Sequence, residues 1–265
     1  MWLLDLAGLL ATFSFLAYGS WKDILTREVT NRLWLVSYPV GMVLLGTRLS
    51  VQSGSWSTIA FSVVAATVLS LTLALLGLWG GADAKAFICL AINNPTVPLI
   101  GGAIFNSADP FFPLIVFSNA YVASLASLMY AVQRNLRALG SNRLFHGLER
   151  ERTTRKFIAF LTGYRTTINE LRSNRFLFPI EYTESGGASS RRHFRFEFSL
   201  SDDCDGDLAE NSHATDADHE SEYVWVSPGL PFLAFLTAGL ALSLAFGDIV
   251  WHAVSSIMSG LIGIP

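Results

Sequence analysis

Two aspartates stand out in this sequence because each lies in a short polar segment between apolar runs. Asp23 opens the segment 23–31, and Asp83 lies in the segment 80–85. Carboxylates near membrane depth are costly and point to function. Two carboxylates within a few ångströms of each other share one proton, and such a pair can act as base and acid on a water that attacks a peptide carbonyl. The chemistry open to such a pair is therefore the hydrolysis of a peptide bond.

Five residues beside the aspartates are candidates for supporting roles. Gly80 and Gly81 permit positive φ and let an extended peptide backbone approach closely. Lys85 could bias which aspartate is ionised, whereas Arg27 and Asn31 are expected to fix the first loop rather than perform chemistry.

Each aspartate also has an ordinary structural explanation. Asp83 could cap the helix that follows it, with Lys85 as a flank that reaches the membrane surface. Asp23 could be a loop charge balanced by Lys22 and Arg27. These explanations lose weight when the aspartates are taken together, because an even number of membrane crossings between them would put both on one side.

The composition is that of a membrane protein. Hydrophobic residues make up 51% of the chain and charged residues 15%, and the mean hydropathy is +0.43, whereas soluble domains carry about 25% charged residues. All but eleven of the charged side chains lie between Arg134 and Glu222. The net charge of -3 argues against nucleic-acid binding. Cys89 and Cys204 alone make no disulfide framework.

Apolar runs near the length of a membrane crossing predict an all-α polytopic membrane protein with about six transmembrane helices. These runs are 2–18, 33–47, 58–79, 86–105, 111–132 and 229–247. Asn93, Asn94 and Pro95 lie in the middle of the fourth run, which is therefore expected to be short, kinked or broken. A further break is expected near Gly247 and Asp248, after which the tail either crosses the membrane a seventh time or lies along the outer leaflet.

The basic residues predict the orientation in a plasma membrane. They lie in the first and third loops and in the polar insert 133–227, whereas the second and fourth loops carry essentially none. Because basic loops stay in the cytoplasm, the N-terminus is expected outside. Asp23, Asp83 and the insert are expected on the cytoplasmic side.

Three parts of the chain follow from these patterns. They are a catalytic core of five helices, 1–132, a cytoplasmic α+β insert between helices five and six, 133–227, and the sixth helix with the apolar tail, 228–265. The insert begins with a basic part that is helical over 134–172 and then resembles two strands, 175–182 and 191–200, joined at Gly186-Gly187. Its end, 201–222, is acidic and is expected to be a disordered or loosely held loop.

Other catalytic classes lack their motifs. The sequence contains neither the H-E-x-x-H of zinc proteases nor the G-x-S-x-G of serine hydrolases. Cys204, His213 and His219 could bind a metal with the acids around them, but a solvated acidic loop explains them better. No metal and no cofactor is therefore predicted.

The two aspartate segments resemble those of a known family. Residues 23–31 resemble the D-x3-R-x-(I/V)-x-N segment of type IV prepilin-like peptidases, and residues 80–85 resemble their G-x-G-D-x-K element, with Ala82 in place of the second glycine. Residues 227–232, followed by an apolar run ending at Asp248, look like the archaeal branch, the preflagellin and archaeal prepilin peptidases.

The resemblance implies a membrane aspartic endopeptidase of the GxGD type with Asp23 and Asp83 as its catalytic pair. Its partners would be the lipid bilayer and pilin-like or archaellin precursors, whose short basic leaders it would remove. Two alternatives stay open: a transporter or proton pathway that uses the same carboxylates as protonation sites, and an inactive scaffold for filament assembly that binds a partner through the insert. The sequence predicts no oligomeric state.

Overall fold

The chain divides into two units, one made of Met1–Ser124 with Pro231–Pro265 and one made of Leu125–Leu230. The computed structural model describes residues 1–51, 54–100, 104, 111–139, 144–148, 150–174, 176–186, 189–194 and 223–262. In chain order its elements are α1 (Trp2–Thr26), α2 (Asn31–Val51), α3 (Trp56–Leu75), α4 (Gly81–Asn93), α5 (Phe112–Leu139), α6 (Thr153–Thr162), β1 (Tyr164–Thr167), α7 (Ile168–Ser173), β2 (Leu177–Pro179), β3 (Glu181–Gly186), β4 (Ser189–Phe194), β5 (Tyr223–Pro228), α8 (Phe232–Phe246) and α9 (Ile249–Ile262).

Four helices of the described chain, α1, α2, α3 and α5, are long and apolar enough to cross a membrane. The pair α8 and α9 makes a fifth candidate span if it is counted as one, although the two helices meet at a bend of 57°. The prediction of a mostly helical chain with several membrane spans is confirmed. The number is smaller than the six expected, because the fourth apolar run forms a helix of only 13 residues.

Helix α4 ends where the sequence predicted a break. Its last residue is Asn93, and Asn94 and Pro95 follow outside the helix. Proline has no backbone N–H and disfavours the helical conformation of the residue before it, so Pro95 favours an end of the helix at this point. The expectation that this run is short or broken is confirmed.

The short helix α4 lies in the core of its unit. Phe87, Leu90 and Ala91 are fully buried, and α4 packs against α2 and α3. Burial on this scale compensates for the short length of α4, because most helical stability in proteins comes from packing rather than from propensity.

The predicted break in the last apolar segment is also confirmed. Helix α8 ends at Gly247, whose φ of 82° favours glycine. The Asp248 side chain then accepts a hydrogen bond of 2.9 Å from the backbone N–H of Trp251 in the first turn of α9. A positive-φ glycine followed by a capping aspartate is a sufficient cause for the bend.

The second unit contains the strands. An antiparallel sheet has the order β1-β5-β2, and β3 pairs with β4 as a hairpin. The hairpin was predicted, but Gly186, which the sequence places in the turn, belongs to β3 and pairs with Ser189. The single strand expected over 175–182 is two strands, interrupted at Ile180.

Two strands of this unit, β1 and β5, were not predicted from the sequence. The predicted segment 195–200 and the acidic loop 201–222 lie outside the described residues.

Trp225 of β5 is the centre of the second unit's core. It is fully buried and stacks on Phe145 with ring centroids 5.2 Å apart, and the ring of Phe194 meets it edge-on at 5.5 Å. Its backbone N–H donates to the carboxylate of Glu181, which also pairs with Arg192 at 3.2 Å. The hairpin is thereby attached to the three-stranded sheet.

Candidate active site

Asp23 lies in the last turn of α1. The helix ends at Arg27, whose left-handed backbone (φ 58°) turns the chain and whose N–H donates to the Asp23 carbonyl at 3.1 Å. On the other side, the backbone N–H of Leu233 in the first turn of α8 faces the Asp23 carboxylate and interacts with it. The side chain of Asp23 is partly exposed, so this carboxylate is both held and accessible.

Asp83 lies in the first turn of α4, as the sequence predicted. Gly80 is the N-cap residue, and its N–H donates to the Asp83 Oδ2 at 3.2 Å. Asp83 is therefore not the N-cap considered as its structural explanation. Its carboxylate does satisfy one of the N–H groups that a helix start leaves unpaired.

The two carboxylates interact electrostatically. Asp83 lies outside the four candidate spans, and burial, followed by the negative charge of Asp23, raises the pKa of Asp83 to about 7. The N–H of Gly80 and the charge of Arg27 oppose this shift. A pair with one carboxyl that keeps its proton near neutral pH has the electrostatic arrangement that general acid–base catalysis needs.

Lys85 contacts Asn31. The Lys85 Nζ donates to the Asn31 Oδ1 at 2.8 Å. The Lys85 carbonyl accepts a hydrogen bond of 3.2 Å from the hydroxyl of Tyr38, and the preceding carbonyl, of Ala84, accepts one of 2.9 Å from Ser70. The start of α4 is thus attached to α2 and α3.

Arg27 is the cation whose charge lowers the pKa of Asp83. The sequence favours Lys85 for this electrostatic influence, and it predicts for Arg27 a role in fixing the first loop or in balancing the charge of Asp23. Arg27 is placed to influence Asp83 because the left-handed turn at the end of α1 brings it into the site.

The two glycines before Asp83 differ in their surroundings. Gly80 has φ of -69°, a value that any residue adopts, and among the described glycines positive φ occurs instead at Gly77, Gly147 and Gly247. A Cβ on Gly80 would lie 3.3 Å from the Asp83 Oδ2, whereas one on Gly81 would meet nothing within 4 Å. The positive φ expected at this pair is not observed. The absence of a side chain at Gly80 does leave room beside the Asp83 carboxylate.

An aromatic cluster that the sequence reasoning did not identify supports both aspartate segments. Trp79, directly before Gly80, lies 4.8 Å from Phe232 and 5.6 Å from Phe117 between ring centroids. Phe232 directly precedes Leu233, whose N–H faces Asp23. In the sequence, this cluster is indicated only by the position of Phe232 at the end of the archaeal-like segment 227–232.

Among the described residues no group of three or more His, Cys, Asp or Glu side chains is arranged to hold a metal ion. The candidate metal ligands Cys204, His213 and His219 lie outside the described residues.

Comparison with known proteins yields two family matches. Residues 10–132 match a model of the type IV leader peptidase family. Residues 155–249 match a model of the archaeal peptidase A24 C-terminus, type II. The first match contains both aspartates, and the second contains Leu233.

Two archaeal proteins are similar in sequence. A preflagellin peptidase of Methanococcus voltae is 23% identical over 244 residues, which cover 88% of this chain and 92% of that protein. The prepilin peptidase EppA of Methanothermobacter thermautotrophicus is 30% identical over 123 residues, which cover 43% of this chain and 32% of that protein.

Proposed function

We propose that this chain, as a member of the type IV leader peptidase family, removes the short basic leader of pilin-like or archaellin precursors. The family matches and the names of the two relatives support a peptidase of this kind. The resemblance drawn from the two aspartate segments is thereby confirmed. The catalytic pair and the position of the cut are our proposal.

The observation that carries the proposal is the effect of the Asp23 charge on Asp83. In this mechanism the ionised Asp23 takes a proton from a water as the water oxygen attacks the scissile carbonyl. Protonated Asp83 donates its proton to the carbonyl oxygen, which gives a tetrahedral intermediate. The proton held by Asp23 then passes to the leaving nitrogen as the C–N bond breaks, while the Asp83 carboxylate takes back a proton from one hydroxyl of the intermediate, which gives the carboxyl product and restores the starting protonation of the pair.

The position of the pair suits a precursor with a basic leader and an apolar helix. Asp23 lies at the end of α1, a candidate span, and Asp83 at the start of α4. A cut at this level separates the polar leader from the part that enters the membrane. The distribution of basic residues supports a cytoplasmic location for the cut.

Replacement of each aspartate tests the proposal. The assay is cleavage of an archaellin precursor with an intact leader, with the full chain in proteoliposomes. Asp23→Asn and Asp83→Asn should each lower the rate by about 100-fold or more, because each removes a proton-transfer group. The matched control is Glu28→Gln, an exposed carboxylate beside the same loop, which should cut at the wild-type rate. Near-normal cleavage by either Asn variant would reject the pair.

The same proteoliposomes distinguish the alternatives. Proton flux that needs no precursor, and that both Asn variants abolish, would favour a proton pathway. Loss of partner binding on deletion of 201–222, with both Asn variants silent, would favour a scaffold.

A further inference from the structure

Helix α8 meets α1 beside Asp23 through a continuous series of polar contacts. The Thr237 hydroxyl donates to the Leu233 carbonyl at 2.9 Å, and the hydroxyls of Ser20 and Thr237 are 2.7 Å apart. A hydroxyl has one proton, so Ser20 is the donor to Thr237. The N–H of Leu233 then faces the Asp23 carboxylate and interacts with it. The series begins and ends on α1.

The spacing along each helix explains why the series closes. Ser20 and Asp23 are three residues apart on α1, and Leu233 and Thr237 are four apart on α8. These are the spacings at which two side chains share one helix face. The two faces therefore meet over about one turn.

The two helices also pack closely at this level. Leu233 is buried (1% exposed), and a Cβ added to Gly19 would lie 2.7 Å from the Leu233 Cδ2. Gly19 thus leaves room on α1 for the Leu233 side chain of α8.

We propose that Ser20 and Thr237 are positioning residues for Asp23. They hold the first turn of α8 in register with α1, so that the N–H of Leu233 orients the Asp23 carboxylate for its reaction. The inference rests on the proposed function and extends it, because it makes a helix from the far end of the chain part of the catalytic site. Neither hydroxyl takes part in a proton transfer.

Removal of either hydroxyl should slow the chemical step without weakening substrate binding. Misplacement of a reacting group by about 1 Å can cost about 100-fold in rate. A carboxylate that is only partly loosened should lose less of this rate. Thr237→Val and Ser20→Ala should therefore each lower kcat by about tenfold and leave KM within about twofold. Thr237→Ser keeps the hydroxyl and should cut at close to the wild-type rate.

Two comparisons separate positioning from general loss of structure. Thr67→Val is the matched control, because the Thr67 hydroxyl makes the same bond within its own helix, to the Val63 carbonyl at 2.7 Å. It should leave kcat unchanged. The double variant Ser20→Ala with Thr237→Val should be no slower than the slower single variant, because both break one series.

Several results would overturn the inference. They are wild-type kcat in Thr237→Val, an equal loss in Thr67→Val or Thr237→Ser, and an effect confined to KM. Asp23→Asn is measured in parallel. An active Asp23→Asn enzyme would reject the proposed function itself, whereas an inactive one beside a fully active Thr237→Val enzyme would reject only the positioning role.

Discussion

The Nζ of Lys85 donates a hydrogen bond of 2.8 Å to the Oδ1 of Asn31 and so joins the two segments that carry the aspartates. Asn31 is the first residue of α2, and Lys85 lies in the first turns of α4. The contact connects two short sequences that the chain places 54 residues apart. We therefore expect both residues to hold the proposed site rather than to transfer protons.

Loss of this contact should slow cleavage moderately. In Asn31→Ala the ammonium of Lys85 loses its acceptor, and a hydrogen bond to a charged group contributes about 1.5–3 kcal/mol where solvent is excluded and less where water competes. We expect kcat/KM to fall by about three- to tenfold. Asn31→Asp keeps an acceptor and should stay near the wild-type rate. Equal rates for Asn31→Ala and the wild type would contradict this role.

The pH dependence of cleavage should report the proton on Asp83. Burial and the Asp23 charge raise the pKa of Asp83 to about 7, so the acid form persists up to that pH and is lost above it. The rate should fall by about tenfold per pH unit well above this value. Measurement of kcat from neutral to alkaline pH checks this, and a rate that stays constant over two units above neutrality would show that Asp83 is not the acid.

Asp5 and Arg48 form a buried ion pair in the helical unit. Their side chains are 3% exposed, with Arg48 Nη1 2.6 Å from Asp5 Oδ1. The second Asp5 oxygen accepts the N–H of Leu99 at 3.2 Å. Removal of one partner from a buried pair costs about 3–5 kcal/mol, because the other charge stays buried and unpaired.

Arg48→Met should therefore lower the Tm of the detergent-solubilised chain clearly. Asp5→Leu with Arg48→Met should recover part of the loss, since no buried charge remains. Circular dichroism on heating measures both. A double variant less stable than Arg48→Met would contradict this account of the pair.

Glu151 should make the hairpin of the second unit sensitive to acid. Burial alone would raise its pKa. The N–H groups of Arg152 and Phe194 and the ring of His193 outweigh burial, so the pKa of Glu151 lies below its usual range. A lowered pKa means that the stabilisation is present above the unfolded-state value of about 4.3 and is lost as pH falls through the folded-state value.

Hydrogen exchange at the Phe194 amide tests this effect. Glu151→Ala should speed exchange near neutral pH, because the acceptor of that amide is gone. Arg155→Gln is the control: Arg155 meets the same carboxylate at 3.5 Å but is largely exposed, and an exposed pair contributes about 0–1 kcal/mol. Unchanged protection in Glu151→Ala would reject the role of Glu151.

The sequence predicted features that depend on local residue chemistry. The end of α4 at Asn93 and the bend after Gly247 follow from proline and glycine within apolar runs. The β3–β4 hairpin follows from alternating residues around a glycine turn. Each of these signals lies within a few residues of the feature it predicts.

Features that depend on distant contacts were missed. The strand β1, of only four residues, pairs with β5, in which Tyr164 lies opposite Val226, a residue distant in sequence. The group of α8 that faces Asp23 is a backbone N–H, which every residue except proline has, so no residue type marks Leu233 as special. Only packing of α8 on α1 brings that group to the carboxylate.

The order of synthesis gives the α1–α8 contact a further meaning. Asp23, Arg27 and Asp83 all leave the ribosome before α8 exists, and Ser20 must wait 217 residues for Thr237. A nascent chain that has inserted its first helices therefore carries both carboxylates without the N–H group that faces one of them. The proposed positioning role would therefore delay the proposed cleavage activity until α8 has been made.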